Sequence, residues 1–69
     1  MRLIFRTPNK EQEVATISEP IKHGEILRHI SEYCQKHNIV TSFVRTWHIG
    51  EKIKYDFGSS TDFFVLVDD

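Results

Sequence analysis

Leu3 and Phe5 alternate with Arg2, Ile4 and Arg6, a period of two that predicts a strand from Arg2 to Arg6. Thr7-Pro8-Asn9-Lys10 has turn chemistry, because proline fixes φ and asparagine tolerates left-handed geometry, and a second strand is expected from about Glu13 to Ile17. Pro20 and Gly24 interrupt the pattern, after which Ile26, Leu27, Ile30, Tyr33 and Cys34 recur at helical spacing. The polar side of that helix shows Glu25, Arg28, Glu32, Gln35 and Lys36, with Glu25–Arg28 and Glu32–Lys36 spaced for ion pairs. Lys36 and His37 suit the negative end of the helix dipole, and Asn38 suits a left-handed terminating residue.

Beyond Asn38, β-branched and aromatic residues predict one long strand from Ile39 to Ile49. Gly50-Glu51 is a two-residue hairpin loop, Lys52 to Phe57 is the returning strand, Gly58 to Thr61 is a second turn, and Asp62 to Val67 is the last strand. The run Phe63-Phe64-Val65-Leu66-Val67 does not alternate, so both its faces should be covered, as in the middle of a sheet beside the Leu3–Phe5 strand. The order ββαβββ predicts an α+β fold of two layers, one helix on one face of an antiparallel sheet.

With Gly50-Glu51 and Ser59-Ser60 as loops, one sheet face collects Val44, Thr46, His48, Ile53, Tyr55, Phe57, Phe64 and Leu66. The other collects Phe43, Arg45, Trp47, Lys54, Asp56, Phe63, Val65 and Val67. The first carries fewer charges and is the favoured seat of the helix. The second is then open unless a loop or the first hairpin seals Phe43 and Trp47 into the core and Arg45 merely pairs with Asp56. Aromatic residues beside arginine have the composition of an interface hot spot. The candidate interface is therefore Phe43, Arg45, Trp47, Lys54, Asp56 and Phe63.

Length sharpens this reading. The 69 residues hold one core and one domain, and a core of that size supplies roughly 3–5 kcal/mol unless a metal, disulfide or partner adds to it. A homodimer is one expected source of the missing burial, with a larger protein as the other expected partner. Cys34 is the sole cysteine, which points to a reducing, cytoplasmic compartment. The longest apolar run, Phe63–Val67, is too short for a signal peptide or a membrane span.

Nine Lys/Arg against ten Asp/Glu leave a net charge of −1 with the signs interleaved, so no basic stripe selects nucleic acid. The one nucleic-acid alternative is single-strand binding by stacking of bases on Trp47, Phe43 and Phe63 beside Arg45 and Lys54. Metal binding would draw on Cys34 with His37, or on His29, Tyr33 and His37, but a structural zinc site needs four ligands. A small hydrolase would need an activated nucleophile, and Cys34 fits the buried helical stripe. Asp56, Asp62 and His48 could form an acid–base set, yet Asp56 and Asp62 fall on opposite faces and suit turn capping. No glycine-rich phosphate loop exists around the isolated Gly24, Gly50 and Gly58. The expectation is a non-enzymatic protein-interaction module without cofactor, in general character like the small regulators or inhibitors of bacteria, phages and mobile elements.

Overall fold

The computed structural model of the chain describes residues 1–41 and 43–68. Six elements follow in the expected order: β1 (Arg2–Arg6), β2 (Glu11–Thr16), α1 (His23–Lys36), β3 (Arg45–Ile49), β4 (Lys52–Asp56) and β5 (Phe63–Val67). The strands form one antiparallel sheet in the order β2-β1-β5-β4-β3. The non-alternating β5 is the central strand and pairs with β1, Leu3 opposite Leu66 and Phe5 opposite Phe64.

Helix α1 buries Ile26, Ile30 and Cys34 against Leu3, Phe5, Ile17, Tyr55, Phe57, Phe64 and Leu66, the face with fewer charges. Phe5, Tyr33, Phe57 and Phe64 meet there with ring centroids 4.9–6.3 Å apart, the range in which tilted aromatic pairs are favourable. The helix ends in a Schellman motif. Asn38 takes φ +57°, its N–H bonds the Gln35 carbonyl at 3.3 Å, and the Ile39 N–H bonds the Cys34 carbonyl at 2.8 Å.

Four local features differ from the pattern-based expectation. The second strand runs over Glu11–Thr16, and its register with β1 slips between Leu3 and Ile4, leaving Val14 as an extra, bulged residue. Ile17, past the strand, still exchanges two backbone bonds with Met1 at 2.8 and 3.0 Å and is buried. Leu27 is exposed, because the sheet is met by the stripe one position round the helix. Arg28 bonds Glu32 at 2.8 Å, and Glu25 faces His29 at 3.9 Å, in place of the expected pairs.

The fourth difference is the largest. The strand expected over Ile39–Ile49 is reduced to Arg45–Ile49 (Ser42 lies outside the described residues). The β3–β4 register, Arg45 opposite Asp56, would set Phe43 opposite Gly58, and there the chain turns away at φ +99°. With no backbone to pair against, β propensity upstream of Arg45 has no ladder to join.

Candidate functional site

Period-two geometry gives the sheet a face that α1 does not touch. The observed pairings set Trp47, Lys54, Val65, Ile4 and Glu13 in one row across all five strands. Ile4 and Val65 lie at its centre and are only 7 % and 3 % exposed. With the helix on the other side, the neighbouring side chains of this face must shelter them, and long polar ones can do so with their apolar stems. Arg2, Ile4, Arg6, Glu11, Glu13, Lys52, Val67 and Asp68 line a shallow depression of about 530 Å³ on this side.

All six interface candidates lie on the same face, five of them at or beside β3 and β4, and Phe63 on the central β5 against Lys54. Phe43 is 46 % and Trp47 49 % exposed, so neither completes the core. The Arg45 guanidinium carbon stands 5.2 Å from the Phe43 ring centroid and 5.7 Å from that of Trp47. Its Nη2 also donates to Asp56 Oδ2 at 3.1 Å. One arginine thus holds two exposed aromatic rings and is itself anchored by a carboxylate on the neighbouring strand. Asp56 in turn accepts the Gly58 backbone N–H on Oδ1 at 2.8 Å, closing the turn after β4. The Gly58 N–H, then the Arg45 guanidinium and the Lys54 charge, hold the Asp56 carboxyl below the usual range, against a partial desolvation that acts the other way.

Gly58 matters twice. Its φ of +99° suits glycine, and a Cβ there would lie 3.3 Å from Phe43 Cζ. The Phe43 ring therefore rests on bare backbone on one side and faces Arg45 on the other. Next to this group, Lys54 Nζ stands 4.4 Å and the Arg6 guanidinium carbon 5.9 Å from the Phe63 ring centroid. Arg6 lies outside the six residues to which composition and alternation point. Its signal was the alternation of β1, which puts Arg2, Ile4 and Arg6 opposite Leu3 and Phe5, combined with the pairing of Arg6 to Phe63.

Charges on the face are largely matched. Arg6 Nε meets Glu11 Oε2 at 2.9 Å, Arg2 lies 3.9 Å from Glu13, and Arg45 pairs Asp56. Such exposed pairs contribute little stability, with a median of about 0–1 kcal/mol. They do fix where the long side chains lie.

The residues considered for other chemistry sit elsewhere. Cys34 is buried in the helix–sheet core and burial pushes its thiol pKa up, which suppresses the thiolate. Tyr33 stacks on His37 with centroids 4.2 Å apart. Among the described residues, no three His, Cys, Asp or Glu side chains cluster where they could hold a metal ion. Asp62 accepts from Thr61 Oγ1 at 3.0 Å while its backbone N–H donates to Ser59 Oγ at 3.1 Å, a turn-capping arrangement separate from Asp56. No helix among the described residues is long and apolar enough to cross a membrane. No family model, curated protein or solved structure matches the chain.

Proposed function

We propose that this protein is a non-enzymatic interaction module whose working surface is the helix-free sheet face at β3, β4 and β5. The observation that carries the reading is the joint placement of Phe43 and Trp47, half exposed and held by one anchored arginine. Rings fixed before contact lose little entropy on binding, and aromatic and arginine side chains dominate interface energetics. Ile49, 59 % exposed on the same face, extends the apolar area. Lys54 and Lys52 border it, so the matching surface on a protein partner is apolar at its centre and acidic at that margin. A free, buried Cys34 fits a reducing cytoplasm. A regulator or inhibitor that acts by occupying a larger protein needs no more machinery than this face.

The single-strand-binding alternative has less support. Base stacking on these rings would have to share them with the cations already there, since Arg45 lies over one face of Phe43 and of Trp47 and Lys54 over one face of Phe63, and no basic stripe beside them draws in phosphate.

Site-specific photo-crosslinking tests the proposal. A photoreactive phenylalanine analogue at Phe43 or Phe63 is expected to yield discrete protein adducts in cells that make the chain, while the same analogue at Gln35, on the exposed side of α1, yields none. Equal adduct patterns from all three positions would remove the face as the working surface.

A further inference from the structure

The two edges of the sheet are built differently. At one edge, β2 carries Glu11 and Glu13, is kinked by the Val14 bulge, and has its carboxylates tied to Arg6 and Arg2 on β1. Charged side chains and bulges are the usual protections of an edge strand against further pairing. At the other edge, β3 reads Arg45-Thr46-Trp47-His48-Ile49, all exposed, with no proline or bulge and with its one Lys/Arg, Arg45, at the end of the strand and drawn to Asp56, and no β3 residue belongs to the core under the helix.

The hairpin geometry says which backbone groups of β3 point outward. Ile49 and Lys52 flank the two-residue loop Gly50-Glu51, with Gly50 at φ +60° as a type II′ turn requires. They form a hydrogen-bonded pair, because a β-turn closes with the bond from the first carbonyl to the fourth N–H. Alternation then directs the backbone groups of Ile49, Trp47 and Arg45 toward β4. Those of Thr46 and His48 face away from the sheet, and among the described residues no backbone group bonds to them.

We infer that β3 pairs antiparallel with β3 of a second copy of this chain, with Trp47 on the twofold axis. This deepens the interaction-module reading and rests on it. The occupant follows from self-complementarity. Thr46 of one copy set opposite His48 of the other forms a hydrogen-bonded pair, the reciprocal pair forms by symmetry, and the two Trp47 residues then meet at the intervening non-hydrogen-bonded position. Cα atoms at such a position are about 4.5 Å apart, the closer of the two antiparallel spacings. In this register Arg45 faces Ile49, so no like charges are opposed. The product is a ten-stranded sheet in which two helix-free faces become one, with the paired indoles at its middle. Five residues per strand bury less than the ~1,600 Å² of a standard interface, so dimerisation is expected to depend on concentration in the micromolar range.

Sedimentation equilibrium with far-ultraviolet circular dichroism tests this. The wild-type mass should rise from 8.2 kDa toward twice that value with concentration, and an exciton couplet from the paired indoles of the only tryptophan should grow in parallel. Thr46→Pro removes an outward N–H that the β3–β4 ladder does not use. It should remain monomeric with its core amide resonances unshifted, while Thr46→Val should dimerise like wild type. A wild type that stays monomeric throughout, or a dimer that Thr46→Pro leaves intact while the fold is unchanged, overturns the strand pairing. If Thr46→Pro fails to fold, Trp47→Lys, which places two ammonium groups on the axis, decides: an undiminished dimer overturns the pairing. Photo-adducts with a larger protein from Phe63, which lies on the central strand away from this edge, separate the two readings. Their persistence alongside a monomeric wild type leaves the working face standing and removes the edge pairing alone.

Discussion

The hydroxyl of Tyr55, on the sheet, lies 3.2 Å from Nδ1 of His23, the first residue of α1. Tyr55 is fully buried, and burial raises its phenol pKa, so the hydroxyl keeps its proton and shares a hydrogen bond with the imidazole nitrogen. Lys22, the N-cap residue, makes no side-chain cap bond. The start of the helix is thus held by this contact with β4 in place of a local cap. Tyr55→Phe is expected to cost about 0.5–1.5 kcal/mol, the net range for one hydrogen bond. His23→Ala should cost a similar amount, and the double variant little more than either, as groups that act as a pair do. Urea unfolding of the four proteins measures this, and fully additive losses would dissolve the pair.

Gly58 and Phe43 form a second dependency, between a turn and an exposed ring. Gly58→Ala places a methyl 3.3 Å from Phe43 Cζ and a side chain at φ +99°. The expected loss is about 1–3 kcal/mol, the range for strained backbone of this kind. Adding Phe43→Ala should recover the steric share and leave the backbone share. Thermal unfolding of the single and double variants reads the recovery, and none at all would mean that the ring does not rest on Gly58.

Asp56 gives the site a pH dependence of defined sign. Its folded-state pKa is depressed, first by the Gly58 N–H and then by Arg45 and Lys54, so the ionised carboxylate binds these groups better in the native state. The resulting stability is fully present above the unfolded-state value, near ~3.9, and is lost as pH falls through the lower folded-state value. The stability difference between wild type and Asp56→Asn, read by urea unfolding, should therefore be level near neutral pH and shrink as pH falls through that acidic window. Arg45, released from its carboxylate, should also lose its fixed position over Phe43 and Trp47, visible as averaging of the guanidinium resonances by NMR.

Most of the fold was legible because burial and periodicity coincide. Helix spacing at Ile26, Ile30 and Cys34, and the unbroken run Phe63–Val67, each report one packing environment. The Gly50-Glu51 loop set the β3–β4 register, and the register read from Ser59-Ser60 holds between β4 and β5 although the connection there, residues 57–62, is longer than the expected turn; together they give the common face of Arg45, Trp47, Lys54, Asp56 and Phe63. Where β3 begins was not legible, because Val40 and Val44 have strand propensity, and only the three-dimensional path of the chain at Gly58 shows that no partner lies beside them. The Val14 bulge was hidden for a related reason: two valid registers of β2 differ by one residue, and packing of Val14, Ala15 and Ile17 on the core selects both in succession. The role of Arg6 depended on strands β1 and β5, far apart in sequence, being neighbours. His23 gave no periodic signal at all, since its task is a single bond to a residue 32 positions away.

Trp47 also decides between protein and nucleic acid as the natural partner class. Single-stranded bases stacked on exposed rings contribute about 1–3 kcal/mol each, provided a ring face is open. Here Arg45 covers one face of Trp47 and Lys54 one face of Phe63, and Asp56 holds Arg45 in place, so a base stacking there would compete with an anchored cation or be confined to the other face. Displacing Arg45 would leave it without its ring contacts beside a carboxylate that repels phosphate. Oligothymidylate is therefore expected to leave Trp47 emission unchanged, even at low salt, where phosphate attraction is strongest. Asp56→Ala removes both the anchor and the repulsion, and any quenching should appear there first. Quenching of the wild type that fades as salt rises would reverse this order, making the aromatic face a strand-binding platform and the anchored arginine a phosphate contact.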